Sequence, residues 1–371
     1  MIKKLKLLDI ALIIIPIILV VLSVALIYSL VFTSEDSMLA FRQGLFALIG
    51  IGLMAGVMFI DYRSFKSLWW VFYLVALILL IIVDLFGQVA GGAMRWINLG
   101  FFQLQPSEVA KIALIISIAS FFSNRVGNLR AKDFIWSVIL FLIPFGLILK
   151  EPDLGTAMVV VFIFFVMLFY SRLNKRQFII LVLTLLIFSS TFILSVFNIK
   201  PFGQLLKPYQ RSRVEVFLNP NLDPYGQGYN IRQAQITLGS GGLLGHGLGQ
   251  GSQSQLKFLP KPHTDFIFAG IAEAIGFIGS VLVIIIYGYM IVRIISIGGM
   301  AKDNFGMLVS VGVASMFLFQ AFVNIGMNLG LLPVTGIPLP FLSNGGTSLI
   351  ISFFSLGIIQ SIYIRRKEYS F

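Results

Sequence analysis

Not one of the 371 residues is cysteine, and only two, His246 and His263, are histidine. Disulfides, thiolate metal sites and a cysteine nucleophile are thereby excluded together, and a histidine-rich metal centre becomes an unattractive reading. Charge is scarce as well. Asp, Glu, Lys and Arg make up 11% of the chain, where soluble domains carry about 25%. What fills the space is apolar: 58% of residues are hydrophobic and the mean hydropathy is +0.97. A chain of this kind cannot cover its own surface with polar groups in water, so it reads as an all-α polytopic membrane protein. The net charge of +12 does not point to nucleic acid. Its basic residues gather between apolar runs, where cytoplasmic loops hold a membrane protein in orientation.

Apolar runs fall at roughly 9–32, 40–60, 67–87, 107–123, 134–150, 155–171, 177–198, 265–292, 305–327 and 346–364, each near the ~20 residues a spanning helix needs. About ten transmembrane helices are expected, within a single membrane domain over 1–371. Lys3, Lys4 and Lys6 precede the first run as in a signal peptide, but the run is too long for a signal core and no small-residue cleavage site follows. It reads as a retained first helix. Placing Lys3, Lys4, Lys6, Arg63, Lys66, Arg125, Arg130, Lys132, Arg172, Lys175, Arg176, Arg293, Lys302, Arg365, Arg366 and Lys367 inside puts both termini in the cytoplasm. Only Arg42, Arg95 and Lys150 remain in short outer loops. The one long connection, about 199–264, lies outside between helices 7 and 8 and holds Tyr209, Phe217, Tyr225 and Tyr229. A long loop without disorder composition is expected to be structured and functional.

Ionisable residues at membrane depth mark function by default. Asp265 opens the eighth run, as a helix N-cap or as a working acid. Positions 265, 269, 273 and 276 share a helical face, so Asp265 and Glu273 are expected to begin a polar stripe into the bundle. Glu108 and Lys111, three apart, are either a self-neutralising pair or a lysine for an anionic ligand with Glu108 setting its position. Asp153 in Glu151-Pro152-Asp153-Leu154-Gly155-Thr156 again opens a helix, so capping is its plainer reading. Arg211 and Arg213 put two guanidinium groups near the outer face, suited to phosphate or simply solvated. The glycine-rich Gly239–Gly251 matches neither dinucleotide nor P-loop spacing and reads as a structured loop. The proline- and glycine-rich 336–347 means irregular backbone at the membrane edge.

Taken together, Gly92-Ala93-Met94-Arg95-Trp96-Ile97, Gln105-Pro106-Ser107-Glu108-Val109-Ala110-Lys111, Glu151 to Thr156, Tyr209-Gln210-Arg211 and His263-Thr264-Asp265-Phe266 resemble the shape, elongation, division and sporulation family. The stretch from Gly228 to Leu256 and Pro333 to Pro340 point to its RodA branch over the FtsW branch. The resemblance implies a ten-helix enzyme of the bacterial inner membrane that polymerises lipid II beside a class B penicillin-binding protein. It implies Asp265 as the functional carboxylate, and Glu108 with Lys111 as the fourth-helix pair; a carboxylate within reach of the attacking sugar hydroxyl suits a general base, so Asp265 is expected in that role. Asp153, Arg42 and Trp96 fall on family motif positions, with Arg211, Arg213 and His263 as further candidates for binding substrate. Asn344 stands where the family usually has tyrosine, and Ala274 where a second acid often follows Glu273. No cofactor is evident, although a divalent cation could assist. A lipid II flippase is the alternative function, and a scaffold without catalysis the third. Small residues Gly312, Ala314 and Ser315 of the ninth helix are expected to receive the partner's membrane helix.

Overall fold

Each of the ten apolar runs is a helix, because backbone in hydrocarbon must satisfy its own N–H and C=O groups. In chain order the computed structural model contains α1 (Ala11–Val31), α2 (Met38–Phe59), the short α3 (Tyr62–Ser67), α4 (Trp69–Phe86), α5 (Pro106–Ser123), α6 (Ala131–Lys150), α7 (Leu154–Tyr170) and α8 (Lys175–Val196). Then follow α9 (Pro208–Leu218), α10 (Gln227–Ser240), α11 (Ser252–Gln255), α12 (Ile267–Gly299), α13 (Asn304–Asn328) and α14 (Gly346–Ile364). The structure describes residues 7–31, 38–90, 93–100, 102–125, 130–151, 153–171, 175–196, 208–256, 258–259 and 262–366. Lys3, Lys4, Lys6, Gly92, Pro152, Arg172, Lys367 and the 199–207 end of the long connection lie outside these.

Burial sorts the helices into two groups. α5, α13 and α14 are about four-fifths buried, whereas α4 and α6 are mostly exposed along their apolar length. An exposed face of Leu, Ile and Phe suits lipid, so α5, α13 and α14 form the protein-lined centre of a multi-pass membrane protein. Gly312, Ala314 and Ser315 belong to that centre. Ala314 and Ser315 are buried, and a methyl added at Gly312 would come within 2.7 Å of Ile115 and 2.9 Å of Met167. These small residues therefore let α13 approach α5 and α7. They do not offer a face to a partner helix, contrary to expectation.

The two ends of the bundle differ. At one end the Asp9 carboxylate accepts from Arg293 at 2.6 Å and its N–H donates to Gln360, while Arg366 reaches the Leu7 carbonyl. Arg63 pairs there with Asp303. The segments before α1 and after α14 thus meet on one face. At the other end, a three-stranded antiparallel sheet that hydropathy did not reveal joins α4 to α5. It comprises β1 (Gln88–Ala90), β2 (Ala93–Asn98) and β3 (Gln103–Leu104), with Gln88 opposite Trp96 and Ile97 opposite Leu104.

α12 is interrupted. Gly276 has φ +70° and ψ −170°, a conformation open essentially to glycine. The expected stripe through 265, 269, 273 and 276 therefore does not form, since Asp265 precedes the helix and Gly276 breaks it. Four backbone bonds from the glycine-rich loop repair the break. His246 and Gly247 donate to the Glu273 and Ala274 carbonyls at 3.0 Å each, and Phe277 and Ile278 donate to Gly242 and Leu243 at 2.9 and 3.2 Å. A methyl on Gly276 would lie 2.3 Å from the Gly245 nitrogen. Gly276→Ala should accordingly lower the melting temperature in detergent through both backbone strain, about 1–3 kcal/mol, and the clash. An unchanged melt would mean the loop is not locked to α12.

Candidate functional site

The acid that opens the eighth run stands one residue before the N-cap position. The N-cap position of α12 is Phe266, with no side-chain bond, and the buried N–H of Ala269 donates to Asn328 Oδ1 at 3.0 Å. Asn324 and Asn328 of α13 also donate to the main-chain carbonyl of Asp265 at 3.2 and 3.1 Å. Ser343 donates to the Thr264 carbonyl at 2.7 Å, and the Asn344 N–H to His263 at 2.8 Å. The backbone on both sides of Asp265 is thus clamped by neutral groups, and its carboxylate is half-buried. Both of its oxygens lie 4.0 Å from where a Cβ on Gly336 would stand.

Arg213 comes to the same place from α9. Its guanidinium donates to the carbonyl of Thr335, next to Gly336, at 3.0 Å. Burial and the nearby Arg95 hold it below the ordinary arginine range, while Tyr209, Asp153 and Asp265 act the other way. These influences set two cations and two carboxylates around one locus. Arg211 is not part of it. Residues two apart on a helix do not share a face, and Arg211 turns to Glu215 on its own helix at 2.7 Å.

Asp153 does cap a helix: it accepts from the Thr156 N–H at 3.1 Å and the Thr156 hydroxyl at 2.8 Å. It does more than that. Gln105 and Ser107 donate to its second oxygen, and Arg95 stands 3.8 Å away. Side chains alternate along a strand, so Arg95 and Trp96 leave β2 on opposite faces; Trp96 is half-buried. Arg95 is a site residue the sequence reading missed, because a lone outer-loop arginine looks like ordinary loop charge.

Glu108 and Lys111 form an ion pair at 2.7 Å with both side chains almost fully buried. Glu108 sits in the first turn of α5 behind Pro106, where the helix dipole favours an acid. In this arrangement the ammonium faces Glu108 and not solvent. Arg42 is exposed on α2, one position before Gln43, whose amide reaches Ser23 and the Ser343 carbonyl at 3.2 and 3.3 Å. His263 is half-buried in the turn before α12. Glu273 is committed elsewhere: its carboxylate accepts from the N–H groups of Gln253 and Ser254 at 2.8 and 3.1 Å and from the Ser254 hydroxyl. It holds the start of α11. No cluster of three or more His, Asp or Glu suited to a metal occurs among the described residues.

Beside Asp153 lies a further acid that the sequence reading passed over. Glu151 is 3% exposed, and neither carboxylate oxygen has a hydrogen-bond partner. Burial first, then the charges of Asp153 and Asp84, push it up to about 9 against the pull of Arg95. Between its ordinary value near 4.5 and about 9, the folded chain keeps a proton that the unfolded chain gives up. Stability contributed by the neutral acid is therefore present at low pH and lost as pH rises through that window. Glu151→Gln should abolish this part of the decline, so the two melting profiles approach at low pH and separate by pH 9. Parallel profiles would show that Glu151 is already ionised.

Fold and site together define a multi-pass membrane protein with an acid–arginine locus at one end of its helix bundle. The chain belongs to the FtsW/RodA/SpoVE family, described as cell cycle proteins, whose pattern matches residues 3–368. It is 38% identical over 359 residues to the peptidoglycan glycosyltransferase MrdB of Escherichia coli K12, covering 96% of this chain and 95% of that protein. Its structure is similar to a chain from a peptidoglycan synthase complex, solved to show structural coordination of polymerization and crosslinking. That likeness has a TM-score of 0.81 at 31% identity over 96% of this chain and 97% of that one. It is also similar to the rod shape determining protein RodA of Thermus thermophilus, with a TM-score of 0.71 at 28% identity over 97% and 98%.

Proposed function

We propose that this protein polymerises lipid II into glycan strands at the outer face of the bacterial cytoplasmic membrane, for elongation and rod shape. The observation that carries the reading is the shared locus: Asp265 beside Gly336, with Arg213 on the adjoining Thr335 carbonyl. In this reading both termini are cytoplasmic, the locus is extracytoplasmic, and the 199–264 connection forms an outer part of one integral domain. Chain growth requires a sugar hydroxyl to attack an anomeric carbon while a polyprenyl diphosphate leaves. The new C–O bond takes the place of the C–O bond to the diphosphate. Asp265 takes the hydroxyl proton as general base. Arg213, with Arg95 behind it, stabilises the negative charge gathering on the departing diphosphate. One displacement inverts the anomeric centre, so no second carboxylate need act as nucleophile. Asp153 holds Arg95, and the Glu108–Lys111 pair supports α5 beneath the substrate. Trp96, Arg42 and His263 edge the entrance, with Arg211 on the outer surface of α9.

No cofactor enters this reading, although a divalent cation could shield the diphosphate. A class B penicillin-binding protein would cross-link the product, consistent with similarity to a chain of a synthase complex. The test is purified protein, with and without that partner and with and without a chelator, incubated with labelled lipid II and resolved on a gel. A ladder of glycan strands supports the reading. Lipid II that crosses vesicles without polymer would support a flippase instead.

A further inference from the structure

The loop that repairs the break in α12 carries Leu243 and Leu244, 69% and 80% exposed. In a water-facing loop two adjacent leucines would be a cost without a return. Here the backbone fixes where they are. Phe277 and Ile278 donate to the Gly242 and Leu243 carbonyls, so the leucines stand at the level of Phe277 and Ile278. Those two residues are themselves 62% and 59% exposed, and Leu282, Ile285 and Val292 continue the exposed apolar face of the same helix.

The depth follows from helix geometry. From Gly276 to Arg293, which binds Asp9 at the opposite end, is about 25 Å at 1.5 Å per residue. A hydrocarbon core is about 30 Å thick. The break in α12 thus sits at the boundary between acyl chains and headgroups. Irregular backbone at such depth is tolerated only where its polar groups are satisfied by protein, which the four splice bonds accomplish.

The geometry points to Leu243 and Leu244 as a membrane-inserted tip, dipping into the outer-leaflet lipid alongside Phe277 and Ile278. The occupant of this surface is lipid, because the patch continues an apolar helix face already given over to lipid. Interfacial segments characteristically bury their apolar side a few ångströms below the headgroups. The tip would hold the long outer connection, and with it α10 and α11, at a constant height over the membrane.

The absence of cysteine makes the test direct. Leu244→Cys and, separately, Leu243→Cys are labelled with an environment-sensitive fluorophore and reconstituted in phosphatidylethanolamine–phosphatidylglycerol vesicles. Tyr225→Cys, 95% exposed in the same connection, is the aqueous reference, and Ile285→Cys, 59% exposed on α12, the membrane reference. The expected result is blue-shifted emission, lost to lipids brominated near the headgroup end of the chain and resistant to iodide. Quenching by iodide to the level of the Tyr225 probe would overturn the proposal. So would shielding from both quenchers, which would mean that protein covers the tip. Both leucines are exposed, so neither variant threatens folding, and a melt matched to the parent chain verifies this.

Discussion

Asp265→Asn should lower glycan polymerisation by about 10²-fold or more, the scale on which general-base catalysis contributes, while leaving the protein folded. Asparagine nearly preserves the shape of the side chain, and the backbone at 265 is held by Asn324 and Asn328 through its carbonyl, which the substitution does not touch. Helix α12 is likewise capped from outside by Asn328. Melting behaviour and lipid II binding should therefore match the parent chain. Comparable polymer from both proteins at equal folded concentration would remove Asp265 from catalysis.

The second large effect lies under the site. Glu108→Met leaves the Lys111 ammonium buried without its partner, and breaking a buried pair in this way typically costs about 3–5 kcal/mol. Removing both charges, Glu108→Met with Lys111→Met, leaves an apolar pair of similar volume, a change that is often neutral or stabilising. The double variant should melt near the parent while the single variant melts far below it. Activity then separates two roles. If the pair merely supports α5, the double variant polymerises lipid II; if Lys111 meets the substrate, stability returns and activity does not. Equal melting of single variant and parent would contradict the pairing itself.

The ten helices were legible because twenty-residue apolar runs have few alternatives in a bilayer. Asp265, Glu108 and Lys111 were legible for the complementary reason, being charges where charge is costly. Other features depend on contacts that no local pattern carries. The task of Glu273 is set by backbone N–H groups of Gln253 and Ser254, twenty residues earlier. Arg211 and Arg213 look equivalent in sequence and part company only once α9 is a helix. The sheet of 88–104 offered no clean alternation, and it draws Arg95 against Asp153 through pairing set by register. Asn324 and Asn328 could have been found: two amides four apart in an apolar run mark one buried helical face.

Among the long apolar helices described, the shortest is α7, with Asp153 at its N-cap. Its 17 residues extend about 25 Å, several ångströms less than the usual hydrocarbon thickness. The neighbouring α5, with Glu108 in its first turn, has 18. Helices this short carry the charged groups at their N-termini no farther than the edge of the hydrocarbon layer. Under the proposed function, a substrate anchored by a polyprenyl tail would present its diphosphate near that level, whereas a free sugar diphosphate would have to reach it from water.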